Sequence, residues 1–260
     1  MNLIAIDIGN TNIVVALYLK GEEQSIDVIG GNNRDRLAEK LASLWEAIPV
    51  AKRSKEGKRD GVIVVSSVKP SWTAMTRKIV EEKLGEEIKL IGEEIPLPMD
   101  LWVDEPNKVG TDRVVSAAAA FAVAEEPVVV ANFGTAVTID FVDRHGIFQG
   151  GVICPGFEMS ARALEHGTAQ LPLARAARPS EPYGKNTSEA ISAGLYFAAV
   201  GTLQEVVRRF AEKNGVWPRT IITGSAAELI KDDTGLAVTY VPNLVVKGVA
   251  LAYRKYIQQG

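Results

Sequence analysis

An apolar run that ends in one polar residue, one apolar residue and a glycine occurs twice in this chain, 125 positions apart. Leu3-Ile4-Ala5-Ile6-Asp7-Ile8-Gly9-Asn10-Thr11-Asn12 returns as Val128-Val129-Val130-Ala131-Asn132-Phe133-Gly134-Thr135-Ala136-Val137. Both copies re-enter an apolar run, at 13–18 and 138–142, so each predicts a hairpin closed by a glycine turn. One such hairpin is an ordinary supersecondary unit; two in register predict two related lobes. Glycine lets backbone come close to a polyphosphate, and the N–H groups and hydroxyls around it can donate to phosphate oxygens. The pair therefore predicts a nucleotide cleft served by both lobes.

The chain is long enough for this. Its 260 residues, 47% apolar and 23% charged, suffice for two lobes of roughly 100 to 150 residues. Net charge is −3 and the basic residues are scattered, which argues against a nucleic-acid or membrane partner. The densest basic stretch, Lys52 to Arg59, includes Glu56 and reads as a solvated loop. Cys154 is the single cysteine and excludes an intramolecular disulfide. The N-terminus begins a strand rather than a secretion signal, and no apolar run approaches a membrane span. A soluble, cytoplasmic protein is expected.

Strand-like and helix-like runs alternate, as in an α/β protein. Helices are expected over 33–47, 71–84, 111–124, 159–165, 188–210 and 244–256, and further strands over 61–68, 88–91, 150–156 and 220–223. The run at 150–156 is enclosed by glycines and a proline and can bring backbone near a ligand. The turn at 223–226 opens a helix, a position that attracts anions. A lobe boundary is expected at 113/114, giving lobes 1–113 and 114–260.

Taken in order, Asp7-Ile8-Gly9-Asn10-Thr11-Asn12, Val109-Gly110-Thr111-Asp112-Arg113, Asn132-Phe133-Gly134-Thr135-Ala136, Gly150 to Gly156, Thr168-Ala169-Gln170-Leu171-Pro172 and Gly184-Lys185-Asn186-Thr187 resemble the motifs of type III pantothenate kinases, nearly end to end. The resemblance implies a duplicated actin-like, ribonuclease-H-like fold, a homodimer, and ATP-dependent phosphorylation of pantothenate at the start of coenzyme A synthesis.

It also implies roles. Asp7 would hold Mg²⁺; Asp7, Ile8, Gly9, Asn10, Thr11, Asn12, Ile13 and Val14 would bind ATP, with Gly134 and Thr135 in the other lobe. Asp112 would accept the proton of the substrate hydroxyl as general base. Gly110, Thr111, Asp112, Arg113, Thr187 and the residue at Val103 would bind pantothenate, the Arg113 guanidinium suiting a carboxylate. A monovalent cation, K⁺ or NH₄⁺, would sit at Asn132.

Three positions depart from the family pattern. Asn132 stands where an aspartate is usual, which retains an oxygen ligand and removes its charge. Val103 stands where a substrate-packing tyrosine is usual, with Trp102 next door as a substitute. Thr223-Gly224-Ser225 replaces Thr-Gly-Gly. Two other readings stay open on these grounds: a nucleotide- or pantothenate-binding regulator, and a kinase for another small hydroxy acid. His145 and His166 read as turn and helix-end residues, Cys154 as a small core residue, and Trp45, Trp72 and Trp217 as packing residues.

Overall fold

The computed structural model describes residues 1–51 and 57–259. Most of the basic stretch read as a solvated loop lies outside the described residues. Arg59 at its end is tied down, donating to the carbonyls of Glu46 at 2.9 Å and Ile48 at 2.6 Å.

The first predicted hairpin is β1 (Leu3–Ile8) and β2 (Asn12–Leu19), followed by β3 (Glu22–Gly30), helix α1 (Arg34–Ala47), β4 (Val62–Ser67), α2 (Pro70–Leu84) and β5 (Ile88–Leu90). The second half repeats the plan with β6 (Val128–Phe133), β7 (Ala136–Val142), β8 (Phe148–Pro155), α4 (Phe157–Gly167), α5 (Thr187–Asn214), β9 (Arg219–Thr223), α6 (Ala227–Ile230) and β10 (Val238–Tyr240). Helix α3 (Thr111–Ala124) joins the halves and α7 (Leu244–Gln259) closes the chain.

Two five-stranded sheets result, in the orders β3-β2-β1-β4-β5 and β10-β9-β6-β7-β8. They are the same sheet twice. In each, the first three strands run antiparallel and the remaining two join parallel to the first strand. This is an α/β fold of duplicated ribonuclease-H-like lobes. The central strands are apolar on both faces and fully buried, as Leu3, Ile4, Ala5 and Ile6 of β1 and Val128, Val129 and Ala131 of β6 show, which is what a parallel-paired strand covered on both sides requires.

Strand β3 escapes the sequence reading because it is an edge. Its opening residues Glu22, Glu23 and Gln24 are exposed and only Ile29 is in the core, so the apolar alternation that marks a half-buried strand is absent. The run at 150–156 is likewise the second half of an edge strand, β8, with Ile153 exposed and Cys154 half-buried rather than core. Trp217, read as packing, is 58% exposed. Helix α5 is long and apolar enough to cross a membrane by length and composition, contrary to the expectation of no such run. Its inward side chains Tyr196, Leu203 and Val207 belong to the core under β6 and β7.

By compactness the chain forms two units: Met1–Asp100 with Glu105–Ala119 and Val245–Gly260, and Leu101–Asp104 with Ala120–Leu244. Compactness assigns the closing helix to the first unit. Gly248 explains the assignment, because a Cβ there would lie 2.1 Å from the carbonyl oxygen of Val115. Its absence lets α7 press backbone to backbone on α3, burying Val245, Val246 and Val249 against Leu3, Ala5 and Val64.

Candidate active site

In the first unit, β1 and β4 end side by side, with Asp7 opposite Ser66 and Ile8 opposite Ser67 in parallel register. The chain leaves β1 through the Gly9–Asn12 turn, closed by the Gly9 N–H on the Asn12 carbonyl at 3.0 Å. Asn10 and Thr11 are exposed at its tip. The second unit matches this position for position. Asn132 lies opposite Thr223, and the Gly134 N–H closes the next turn on the Ala136 carbonyl at 3.1 Å, leaving Thr135 exposed. Each glycine therefore spends its own N–H inside the turn, so its contribution is close approach and not donation. Ile8 and Ile13 have fully buried side chains; only their backbone can meet a ligand, and the Ile8 carbonyl already accepts from Val68 N–H at 3.1 Å.

Asp7 is the most unusual group in the chain. Its Oδ1 is buried and has no hydrogen-bond partner. Burial raises its pKa from 3.8 to about 8, and the Asp112 carboxylate adds to the rise. A buried carboxylate left unpaired is costly, and a hard cation removes the cost. Mg²⁺ is commonly held by one or two carboxylates together with substrate phosphates, so this orphaned oxygen fits it. Among the described residues no group of three or more His, Cys, Asp or Glu forms a metal cage, which agrees with a cation completed by its substrate.

Asp112 lies in the first turn of α3. Burial raises its pKa as well, while the Arg113 backbone N–H and guanidinium partly offset the rise. The start of α3 is pinned from two sides. Thr111 Oγ1 lies 2.9 Å from Ser66 Oγ, and the Gly110 carbonyl accepts from Arg113 N–H at 3.1 Å. A Cβ on Gly110 would come within 2.5 Å of Asp112 Oδ1, so a side chain there would displace that carboxylate. Beside this motif a cavity of about 630 Å³ is lined by Ser67, Thr73, Arg77, Asn107, Val109 and Thr111 among others.

In the second unit, Asn132 is half-buried at the end of β6. Two glycines, from the 150–156 run and the 223–226 turn, hold its turn by close packing. A Cβ on Gly156 would lie 2.3 Å from the Gly134 carbonyl oxygen, and one on Gly224 would lie 2.5 Å from both Asn132 Oδ1 and the Phe133 carbonyl oxygen. Gly224 also has φ +97°. Two neutral oxygens thus converge over Gly224. Val103 lies against Gly150 in this unit, and Trp102 beside it is 75% exposed, its N–H on the Phe148 carbonyl. Thr187 is exposed and opens α5, where Asn186 Oδ1 accepts from Glu189 N–H at 3.0 Å and Glu189 Oε2 from Lys185 N–H at 2.8 Å. The Asn186 cap starts the helix at Thr187, and the Glu189 carboxylate holds the backbone just before it.

A sequence model of type III pantothenate kinases matches residues 3–209. The chain is 32% identical over 254 residues to the type III pantothenate kinase of Rhodospirillum rubrum, covering 97% of this chain and 98% of that one. The chain belongs to the type III pantothenate kinase family. A second member, from Geobacillus sp. strain WCH70, is 31% identical over 261 residues, covering 99% of each. Among solved structures, a Baf family transcriptional activator from Campylobacter jejuni aligns over 100% of this chain and 98% of its own, with TM-score 0.59 and 16% identity; this is a likeness of fold. Family membership makes the chain an ATP-dependent kinase of pantothenate and leaves nothing in favour of a regulator or of another hydroxy acid.

The state of Asp7 has a consequence for stability. With a pKa near 8 folded and near 3.8 unfolded, the folded chain keeps a proton that the unfolded chain has lost across that window. Stability from this group is present in full below the lower value and is lost as pH rises to the upper one. Asp7→Asn should therefore melt higher than wild type without ligand. The gain in Tm should widen from pH 5 to pH 8 and then level off; a gain independent of pH would contradict the buried, unpaired carboxylate.

Proposed function

We propose that Asp7, Asp112 and Arg113 carry the family reaction in this chain, transfer of the γ-phosphoryl group of ATP to the terminal hydroxyl of pantothenate, giving 4′-phosphopantothenate. The observation that supports this best is the pair of electrostatically coupled carboxylates at the ends of β1 and α3, of which only Asp112 has a cationic neighbour. Unlike environments divide such a pair into unlike roles.

Phosphoryl transfer asks the protein for position and charge more than for covalent chemistry. The Gly9–Asn12 turn holds the phosphates, and the Asn132–Thr135 turn is built the same way in the second unit. Mg²⁺ held by Asp7, when bound, supplies positive charge to the phosphate oxygens. Arg113 and the Gly110–Thr111 backbone orient pantothenate, and the cavity beside Thr111 is large enough for a small hydroxy acid. The hydroxyl oxygen forms its bond to the γ-phosphorus as the bond to the bridging oxygen of ADP breaks. Asp112 takes the hydroxyl proton; its raised pKa makes it a stronger base than an ordinary carboxylate.

The neutral oxygens of Asn132 and Phe133 suit a weakly held monovalent cation, K⁺ or NH₄⁺. Trp102, exposed beside Val103, is available for the substrate contact that valine lacks. We assign the protein to the cytoplasm as a homodimer. Ala190, Gly194, Phe197, Ala198 and Gly201 form an exposed apolar face along α5, and only 39% of that helix's most apolar stretch is buried. A face of small residues beside one aromatic fits a second copy of the same helix.

Asp112→Asn should lose at least about 100-fold in kcat while its ATP affinity stays within a few-fold of wild type; wild-type turnover would remove Asp112 from the base position. An ADP-release assay should show a shallow response of the wild type to added K⁺ or NH₄⁺, and an absolute requirement would contradict a neutral ligand at Asn132. Sedimentation should give a dimer that Phe197→Glu converts to monomer; an unchanged dimer would move the interface elsewhere.

A further inference from the structure

Lys69 is a cation bonded to the first phosphate turn that has no part in the proposed reaction. It stands between β4 and α2 as the N-cap residue of α2, with Pro70 at the first helical position. Its Nζ donates to the carbonyl oxygen of Asn10, at the tip of the Gly9–Asn12 turn, at 2.9 Å. The ammonium also lies 3.3 Å from the centre of the Trp72 ring.

The placement is enforced by a closed circuit of contacts. Trp72 lies so tightly on Gly31 that a Cβ there would come within 1.7 Å of the ring. The Gly31 N–H donates to the Thr11 carbonyl at 3.1 Å, the next carbonyl along the same turn. Turn, glycine, indole and ammonium therefore hold one another, and the lysine cannot leave without giving up both its carbonyl and its aromatic face. A cation–π contact and one carbonyl satisfy only part of an ammonium, which carries three donors. Lys69 has no carboxylate partner among the described residues.

Charge balance gives this lysine its task. The turn's neighbourhood otherwise contributes Asp7 and Asp112, both negative when ionised, and a single Mg²⁺ offsets only part of a triphosphate. Arg113 is committed to the pantothenate end. We propose that Lys69 binds the terminal phosphates of the nucleotide on the Gly9–Asn12 turn. Its remaining N–H groups donate to phosphate oxygens while the Asn10 carbonyl and Trp72 keep the ammonium in place before the ligand arrives. The N-terminus of α2 adds favourable potential at the same point. This rests on the assignment of that turn to ATP and names a phosphate contact which that assignment leaves open.

The test compares ATP with AMP, which lacks the terminal phosphates, by calorimetry on Lys69→Met and Lys69→Gln, with Mg²⁺ present. Both variants should bind ATP roughly 10- to 100-fold more weakly, the loss of one charge-assisted contact, with AMP affinity within about two-fold of wild type. Gln keeps a donor for the Asn10 carbonyl and removes the charge, so it separates binding of phosphate from support of the turn. Lys69→Arg should recover most of the ATP affinity, and the salt dependence of ATP binding should be shallower in Met and Gln than in wild type. Equal losses for ATP and AMP, or full ATP affinity in Gln, would overturn the proposal. Wild-type protein that bound no ATP would instead overturn the nucleotide reading of the turn.

Discussion

The chemistry of the first unit depends on where two parallel strands stop. Because β1 and β4 pair in register to their last residues, the turn after β1 and the helix after β4 begin at one end of the sheet, as ligand-binding segments of open α/β sheets do. Asp7 is caught at that end. It is close enough to the sheet interior for one oxygen to be sealed from water, and close enough to the turn to face whatever the turn holds. Folding has left an acceptor unsatisfied, and its burial makes sense once a cation shares it.

Duplication supplied the second unit with the same frame and different chemistry. Asn132 occupies the place of Asp7, and Thr223 that of Ser66. The first turn is backed by a side-chain circuit through Lys69 and Trp72, the second by backbone packed against Gly156 and Gly224. A carboxylate thus stands at the strand end in one unit, and a neutral amide at the corresponding place in the other. A fold can keep its hydrogen-bonded skeleton through duplication because the skeleton is fixed by backbone pairing, while the residues at strand ends are free to diverge.

Much of this was legible beforehand. The hairpins, α3 to the residue, and the position of Asp112 in its first turn all follow from apolar periodicity and glycine placement, which are local properties. The parts that were not legible are those decided by partners distant in sequence. Strand β3 is polar because it is an edge, and α7 joins the first unit because Gly248 meets Val115, a contact no local pattern announces. Trp217 is aromatic and exposed, against its composition. The motifs containing Gly156 and Gly224 stood out, but their function as the backing of the second turn depends on which carbonyls face them. In the same way Asp7 was recognisable as a candidate ligand, whereas its lack of any partner is a fact of packing alone.

With its pKa raised to about 8, Asp7 keeps its proton near neutral pH until a cation and its nucleotide arrive. The most direct measurement is the number of protons released when Mg²⁺ and ATP bind, taken from calorimetry in buffers of different ionisation enthalpy at pH 7 and pH 9, with Asp7→Asn as reference and the titration of ATP itself subtracted. Wild type should release close to one proton more than Asp7→Asn at pH 7, and much less than that at pH 9, where the carboxylate with a pKa of about 8 is already largely ionised. Equal proton release by the two proteins at pH 7 would show that Asp7 is ionised before the ligand binds, and would contradict the account.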